Sequence, residues 1–299
     1  MRTMKKRLLV IITVLFSMSA VGSMQGPLYN QVRWKSSHNS YAKEAGIMKQ
    51  LDEFRFRSIE FDLHYKDDLF GIEKAGAGEW FVFHEFTDRK TNCETLSKCF
   101  AEVSEFHRKN PRHHVITVFF DLKDGLHEKS GHGASDFYRA LKESLPEGSI
   151  VSPADLLEAC PEADNLQGSV TLPGCGWPSL SAFRGKFMLV MSTGRDDFVR
   201  AGYSPHEAPI FLVSKGVGLG GVHENPDRVF FNMRGPHSFG KEVYKAGFVA
   251  RAYGLDKRED FLKAKSMGFH HLAMDHIDPD ETPWAETDGE NGLPYEVIE

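Results

Sequence analysis

The most constraining feature of this sequence is an order in which short apolar, β-branched runs alternate with amphipathic stretches along most of its length. Strand patterns fall at Gln31–Lys35, Ser58–His64, Trp80–His84, His114–Asp121, Lys186–Met191, Val229–Met233, Phe248–Tyr253 and His270–Asp275. Between several of them, Glu94–Lys109, Ala134–Leu145, Phe239–Ala246 and Lys257–Met267 place apolar residues at three- and four-residue spacing, and Pro153–Cys160 reads as a shorter helix. Strand and helix alternating about eight times predicts an α/β fold, a (β/α)8 TIM-type barrel. Ile210–Val213 is a spare strand candidate. The chain has 299 residues, and a barrel of about 250 residues is one domain. With no internal repeat, low-complexity tract or linker, residues 24–277 are expected to form that single domain.

The ends read differently. Arg2, Lys5, Lys6 and Arg7 precede a nearly unbroken apolar run from Leu8 to Val21 that closes on small residues, the pattern of a signal peptide over residues 1–23. The run is shorter than the roughly 20 apolar residues a spanning helix needs, so a retained anchor is the lesser reading. No Cys follows to carry a lipid. Residues 278–299 are acidic and rich in Pro and Gly, and are expected to form a tail packed loosely or not at all. The formal net charge is −6, and becomes −10 once the four basic residues of the leader are gone. Such a surface disfavours a nucleic-acid partner and gives no help at an anionic membrane. A secreted or periplasmic monomer is expected. In an oxidising compartment Cys93, Cys99, Cys160 and Cys175 read as two disulfides. Three pairings are open; Cys93 with Cys99 and Cys160 with Cys175 is favoured because it closes short loops, the longer stabilising by roughly 3 kcal/mol. The paired C-x-x-C spacing of a zinc site is missing.

Polar residues gather at the C-terminal ends of the first four predicted strands: Ser36-Ser37-His38-Asn39-Ser40-Tyr41, Glu60-Phe61-Asp62, Phe83-His84-Glu85 and Phe120-Asp121-Leu122-Lys123. In a barrel these ends share one face, where such enzymes work. Glu60 and Asp62 point the same way from a strand otherwise made of Ile59, Phe61 and Leu63. Buried together, two carboxylates need a cation; the alternative is an edge strand with a solvated acidic face. The all-oxygen set Asn39, Glu60, Asp62 and Asp121 suits Ca2+ before Mg2+. His38 and His84, beside these acids, suit general acid–base work. Lys123 either meets a phosphate oxygen or pairs with Asp121. His113, His114, His127, His132, His270 and His271 read as surface or structural groups. Gly216–Gly221 lacks the Lys-Ser/Thr of a phosphate loop and reads as flexible, and Gly194-Arg195-Asp196 is weak.

Taken in order, S-S-H-N-S-Y at 36–41, E-x-D at 60–62, His84 and D-x-K at 121–123 resemble the catalytic barrel of phosphatidylinositol-specific phospholipases C, most closely the bacterial calcium-dependent phosphoinositide phospholipase C family. Leu28-Tyr29-Asn30-Gln31-Val32, Trp177-Pro178-Ser179-Leu180, Arg184-Gly185-Lys186, Gly247-Phe248-Val249-Ala250-Arg251 and Met274-Asp275 resemble its later landmarks. The resemblance implies that His38 and His84 are the histidine pair, and that Asn39, Glu60, Asp62 and Asp121 hold calcium. The metal-free bacterial branch has an arginine where the cation sits; here the carboxylates are intact. Where the family tends to read Arg-x-Arg, this chain has Arg251-Ala252-Tyr253. Arg251 either contacts phosphate or inositol or pairs with Asp256 or Asp275, and Tyr253 either stacks on a ring or fills space.

The expected activity is cleavage of phosphatidylinositol-type phosphodiesters through an inositol cyclic phosphate, with His38, His84 and Glu60 as the catalytic groups. Peripheral membrane contact goes with such a substrate, and Trp34, Phe81 and Phe86 are candidates to reach toward lipid or to pack in the core. A glycerophosphodiester phosphodiesterase shares the barrel, the E-x-D pair and two histidines, but opens on His-Arg rather than His38-Asn39. A silent head-group-binding barrel commonly lacks one member of the set, and a glycan-binding or structural protein would rest on exposed aromatics alone.

Overall fold

Strands buried on both faces read as nearly continuous apolar runs, and eight such runs here form one closed parallel sheet. The computed structural model describes residues 26–214, 221–289 and 292–298. Its barrel strands are β1 Val32–Ser37, β2 Ser58–His64, β3 Ile116–Leu122, β4 Phe187–Thr193, β5 Phe211–Leu212, β6 Phe230–Arg234, β7 Val249–Tyr253 and β8 His271–Met274. Each pairs in parallel with the next, β8 returns to β1, and β5 meets β6 through a bridge between Val213 and Phe230. The predicted TIM-type barrel is the observed fold. The signal-peptide reading of residues 1–23 and the loop reading of 216–220 lie outside the described residues.

One expected barrel strand is exchanged for another. Within Trp80–His84 only Phe81–Val82 is extended, and it runs antiparallel to the end of β2, with Leu63 opposite Val82 and His64 opposite Phe81. A parallel return would need a helical crossover, and the Gly71-, Gly76- and Gly78-containing stretch after His64 offers no helical pattern. The spare candidate Ile210–Val213 supplies β5 instead. Helices occupy Leu96–Lys109, Ala134–Ser144, Pro153–Glu158, Gly240–Lys245 and Arg258–Ser266, inside the predicted windows. Short helices at Ile47–Asp52, Leu166–Thr171 and Arg195–Arg200 carry no pattern long enough to predict.

Strand alternation sorts the side chains. Ile59, Phe61 and Leu63 of β2 and Ile116, Val118, Phe120 and Leu122 of β3 pack outward on Phe100, Val103 and Phe106 of the 96–109 helix. The residues between them face the lumen. At its lower end the Tyr29 hydroxyl bonds Thr117 Oγ1 at 2.7 Å and His271 Nε2 at 3.1 Å, plugging the barrel. Cys93–Cys99 and Cys160–Cys175 are the two disulfides.

The C-terminal segment is not loose. Glu296–Val297 pairs antiparallel with Arg33 and Val32 of β1. β1 touches β2 in register only at Ser36–Ser58, so its first residues leave an unpaired edge that the segment covers. Tyr295 sits 5.2 Å from the rings of both Trp34 and His114, and Ala285, Thr287 and Ile298 are buried. Trp34 is thus core at the closed end rather than a lipid contact. Replacing Tyr295 with Ala should destabilise the protein by about 2–4 kcal/mol, read as a lower melting temperature by calorimetry; an unchanged melting point would mean the segment does not anchor β1.

Candidate active site

Glu60 and Asp62 lie on β2 between outward-facing apolar residues and are 2% and 1% exposed, which excludes a solvated acidic edge. In register, Glu60 faces Phe119 and Asp62 faces Asp121 on β3, so two carboxylates stand directly opposite one another. Oxygens of Glu60, Asp62 and Asp121 come within 4.8 Å of one another. The two β2 acids are treated differently. Arg251 of β7, fully buried, donates from Nη2 to Glu60 Oε2 at 2.8 Å, and the Asn39 amide donates to the same oxygen at 3.1 Å. Burial raises the Glu60 pKa, but Arg251, His38 and that amide more than offset it, holding the carboxyl below its ordinary value. For Asp62, burial and the charges of Glu60 and Asp121 win over the Lys123 ammonium, 2.9 Å from Oδ2, and push it up to about 8. Its Oδ1 is buried with no hydrogen-bond partner.

A hard cation fits this donor set. Three converging carboxylates, one with an unpartnered buried oxygen, are an arrangement that a divalent ion stabilises, and the two cations beside them, Arg251 and Lys123, are fewer than the three acids. Asn39 stands above Glu60 with φ 48°, a left-handed conformation that Asn tolerates, and its Oδ1 accepts from Tyr41 Oη at 3.2 Å. Asp121 follows a register shift in β3 and accepts from the Thr193 amide at 3.1 Å. A second group, Cys160, Glu162 and Cys175, is no metal site, because both sulfurs are joined in a disulfide.

His38 follows β1. Its Nδ1 lies 3.0 Å from both carboxylate oxygens of Asp275, and its Nε2 is 3.8 Å from Glu60 Oε2. Burial lowers the His38 pKa, but Glu60 and Asp275 outweigh it, so the ring is more basic than an ordinary histidine. Asp275 also takes the Lys43 ammonium at 2.8 Å, while its amide donates to Asp256 Oδ1 at 2.6 Å. Burial would raise the Asp275 pKa, yet His38 and Lys43 hold it well below the carboxylate range. From local sequence alone Asp275 stands only as a landmark and a candidate partner for Arg251. The signal that finds it is topological: Ser37 pairs with Met274, so the next residue of each strand stands beside the other.

The remaining expectations divide. Lys123 takes Asp62 as its near partner, with Asp121 at 3.9 Å. Arg251 meets neither Asp256 nor Asp275; besides Glu60 it donates to Asn232 Oδ1 at 3.1 Å and lies 4.7 Å over the Phe119 ring. A guanidinium with no solvent exposure needs such a partner, and this one faces the lumen rather than a head group. Tyr253 stacks on His38, centroids 5.4 Å apart. His84 stands after the antiparallel strand, half-exposed, with Nδ1 3.8 Å from Asp88 Oδ2 and no hydrogen bond to His38 or the acids. Behind it Phe83 stacks at 3.9 Å on His64, itself 3.2 Å from Asp124 Oδ2. Phe86 packs on the same two rings. His271 bonds Tyr29, His270 bonds the Asn30 carbonyl, and His127 and His132 share Ser130, all structural roles.

An acid whose folded pKa exceeds its unfolded value of about 3.9 binds more protons when folded, so without a cation Asp62 costs stability as pH rises from about 4 to 8. Calcium favours the ionised form. The melting temperature should therefore rise more on adding calcium at pH 8 than at pH 5 in scanning calorimetry. Equal rises at both pH values would show that calcium is held elsewhere.

A family model described as phosphoinositide phospholipase C, Ca2+-dependent, matches residues 77–254, which include His84, Asp121, Lys123, Arg251 and Tyr253. No curated protein sequence matches. Among solved structures, a calcium-dependent phosphoinositol-specific phospholipase C from Pseudomonas sp. superposes with TM-score 0.76 at 22% identity, over 91% of this chain and 96% of that one. A Ca2+-dependent phosphatidylinositol-specific phospholipase C from Streptomyces antibioticus does so with TM-score 0.69 at 16% identity, over 87% and 98%. With more than half of its length matched and the barrel in place, the chain belongs to the calcium-dependent phosphoinositide phospholipase C family of enzymes.

Proposed function

We propose that this enzyme is exported and cleaves phosphatidylinositol-type lipids by attack of an inositol hydroxyl on the adjacent phosphodiester, giving an inositol cyclic phosphate and diacylglycerol. The observation that carries the reading is one end of one barrel bearing both the carboxylate triad and a carboxylate-held histidine. Asn39, Glu60, Asp62 and Asp121 would hold calcium, which supplies charge stabilisation to a phosphate oxygen and acidifies the attacking hydroxyl. Donation from Nδ1 to Asp275 leaves the His38 Nε2 lone pair facing the site, where it takes the hydroxyl proton. Asp275 and Glu60 stabilise the imidazolium that results.

His84, half-exposed at the rim, donates a proton to the leaving diacylglycerol oxygen. Lys123, beside Asp62 and, unlike Arg251, partly exposed, meets the phosphate. Tyr253, already covering the His38 ring, borders the inositol; the similar Pseudomonas protein is described as a myoinositol complex. Arg251 acts one layer below by fixing Glu60. The two disulfides support an oxidising, extracytoplasmic location, and the enzyme works as a monomer at the lipid surface.

Phosphorus NMR of the purified protein with phosphatidylinositol micelles tests this directly. A five-membered cyclic phosphodiester signal should appear with calcium and vanish with excess chelator. Cleavage of glycerophosphodiesters without a cyclic product would overturn the substrate assignment. His38→Ala, His84→Ala and Asp275→Asn should each lower turnover by about 10²-fold or more while the melting temperature stays near the parent's. Near-normal turnover in any of them removes that residue from the mechanism.

A further inference from the structure

The closed end of the barrel, opposite the acids, gathers the other charge. A cavity of about 520 Å³ lies there, bordered by Arg55, Arg57, Arg112 and Arg184 against one acid among the described residues, Asp52. Arg57 precedes β2, His113 and His114 lead into β3, and Arg184 leads into β4, so neighbouring strand starts supply the lining. In a chain of formal net charge −6, such a concentration of guanidinium groups runs against the composition.

These arginines are not spent on ion pairs. Arg55 donates to Asp288 Oδ2 at 2.9 Å, but among the described residues no carboxylate pairs with Arg57, Arg112 or Arg184. Arg57 is buried, with Nη1 donating to the Leu51 and Phe56 carbonyls at 2.7 Å each and the guanidinium 5.2 Å over the Phe106 ring. Its Nε has no partner. Arg184 donates to the Arg112 carbonyl at 3.3 Å, and both residues are exposed. His114 Nδ1 is also buried without a partner, and burial, then Arg184 and Arg57, push that ring's pKa down to about 3. A positive potential therefore fills the cavity.

The backbone at the rim is unusual as well. Arg55 holds φ 60°, a left-handed conformation that, among the described non-glycine residues, it shares only with Asn39 of the candidate active site. Such a conformation is costly for a residue with a Cβ and persists where the surroundings impose it. Here Arg55 Nη2 donates to the Gly292 carbonyl, which fastens the C-terminal segment to the cavity.

Like charges gathered without partners repel, and an anion removes that cost. Guanidinium forks match phosphate oxygens two at a time, and the cavity has room for a ring beside the phosphate. We infer that this cavity binds a soluble, sugar-sized phosphate monoester through Arg112 and Arg184, with Arg55 and Arg57 supplying the field around it. The site lies at the far end of the barrel from the acids, and its test does not depend on catalysis.

Titration calorimetry of the full protein in chelator, with glucose 6-phosphate as the probe, reads this binding without an inositol ring. The parent should bind at about 1 mM or tighter, and the double variant Arg112→Gln, Arg184→Gln should bind at least about ten-fold more weakly. Lys123→Gln, at the open end, should change the affinity by less than about two-fold. Without ligand the double variant should melt no lower than the parent, since it loses repulsion and no ion pair. A lower melting temperature makes the arginines structural and overturns the inference. So does a parent that fails to bind, a double variant that binds equally, or a loss in Lys123→Gln, which moves the binding to the acids. Inorganic phosphate bound as tightly as glucose 6-phosphate overturns the sugar-sized ligand in favour of a free ion. Phosphatidic acid in phosphatidylcholine vesicles presents the same phosphate monoester on a lipid. If these vesicles sediment the parent but not the double variant, while glucose 6-phosphate stays unbound, the ligand is a membrane head group and the soluble one is excluded.

Discussion

The structure turns on the cost of placing Glu60 and Asp62 inside a barrel. A charge moved from water into a protein interior needs compensation close at hand, and the two acids receive unequal amounts. Glu60 has a fully buried guanidinium and a backbone amide on one oxygen, so it stays ionised. Asp62 has a lysine at the rim and an opposing aspartate, so burial lifts its pKa. One carboxylate is fixed by the fold and the other is left for an ion. That asymmetry accounts for Arg251 in the lumen: it works from beneath, through Glu60, and leaves the upper side of the acids open, where the proposed calcium and substrate would bind.

Much of this was legible in the sequence wherever periodicity and local chemistry agree. β2 spans Ser58–His64 as expected because its alternation of apolar and polar residues is unbroken, and the same alternation aimed Glu60 and Asp62 inward. The short run at Trp80–His84 misled, since four or five apolar residues look alike in a parallel barrel strand and an antiparallel return; what decides is the connection before them. β5 was underrated for the same reason, having only two residues of regular strand.

The partner of His38 was out of reach for a different reason. Asp275 lies 237 positions away, and the two meet only because β8 closes on β1. No local spacing encodes a contact between the first and last strands of a barrel; it follows once the closure and its register are known. The C-terminal segment departs from the loosely packed tail its composition suggests because position decides its packing. Its acidic, Pro- and Gly-rich character is real, but Tyr295 and Ile298 flank the pair that covers the unpaired start of β1, and unmet backbone groups there favour pairing over solvent.

These features give the barrel two unlike ends. At the lower end Tyr29, Thr117 and His271 form a closed hydrogen-bonded plug, and His271 is kept neutral by complete burial. Trp34, His114 and Tyr295 add aromatic packing beside it. At the upper end the lumen carries Asp62, Asp121 and Lys123, and His38, just past β1, is held by Asp275, just past β8. Uncompensated charge is tolerated at a site when stability is supplied elsewhere in the same cooperative unit. The lower end supplies it here through packing that is independent of the ion, so the acids can be arranged for binding rather than for stability. The candidate site is thereby confined to one face, and the lipid-anchored substrate proposed for it would approach only from that side.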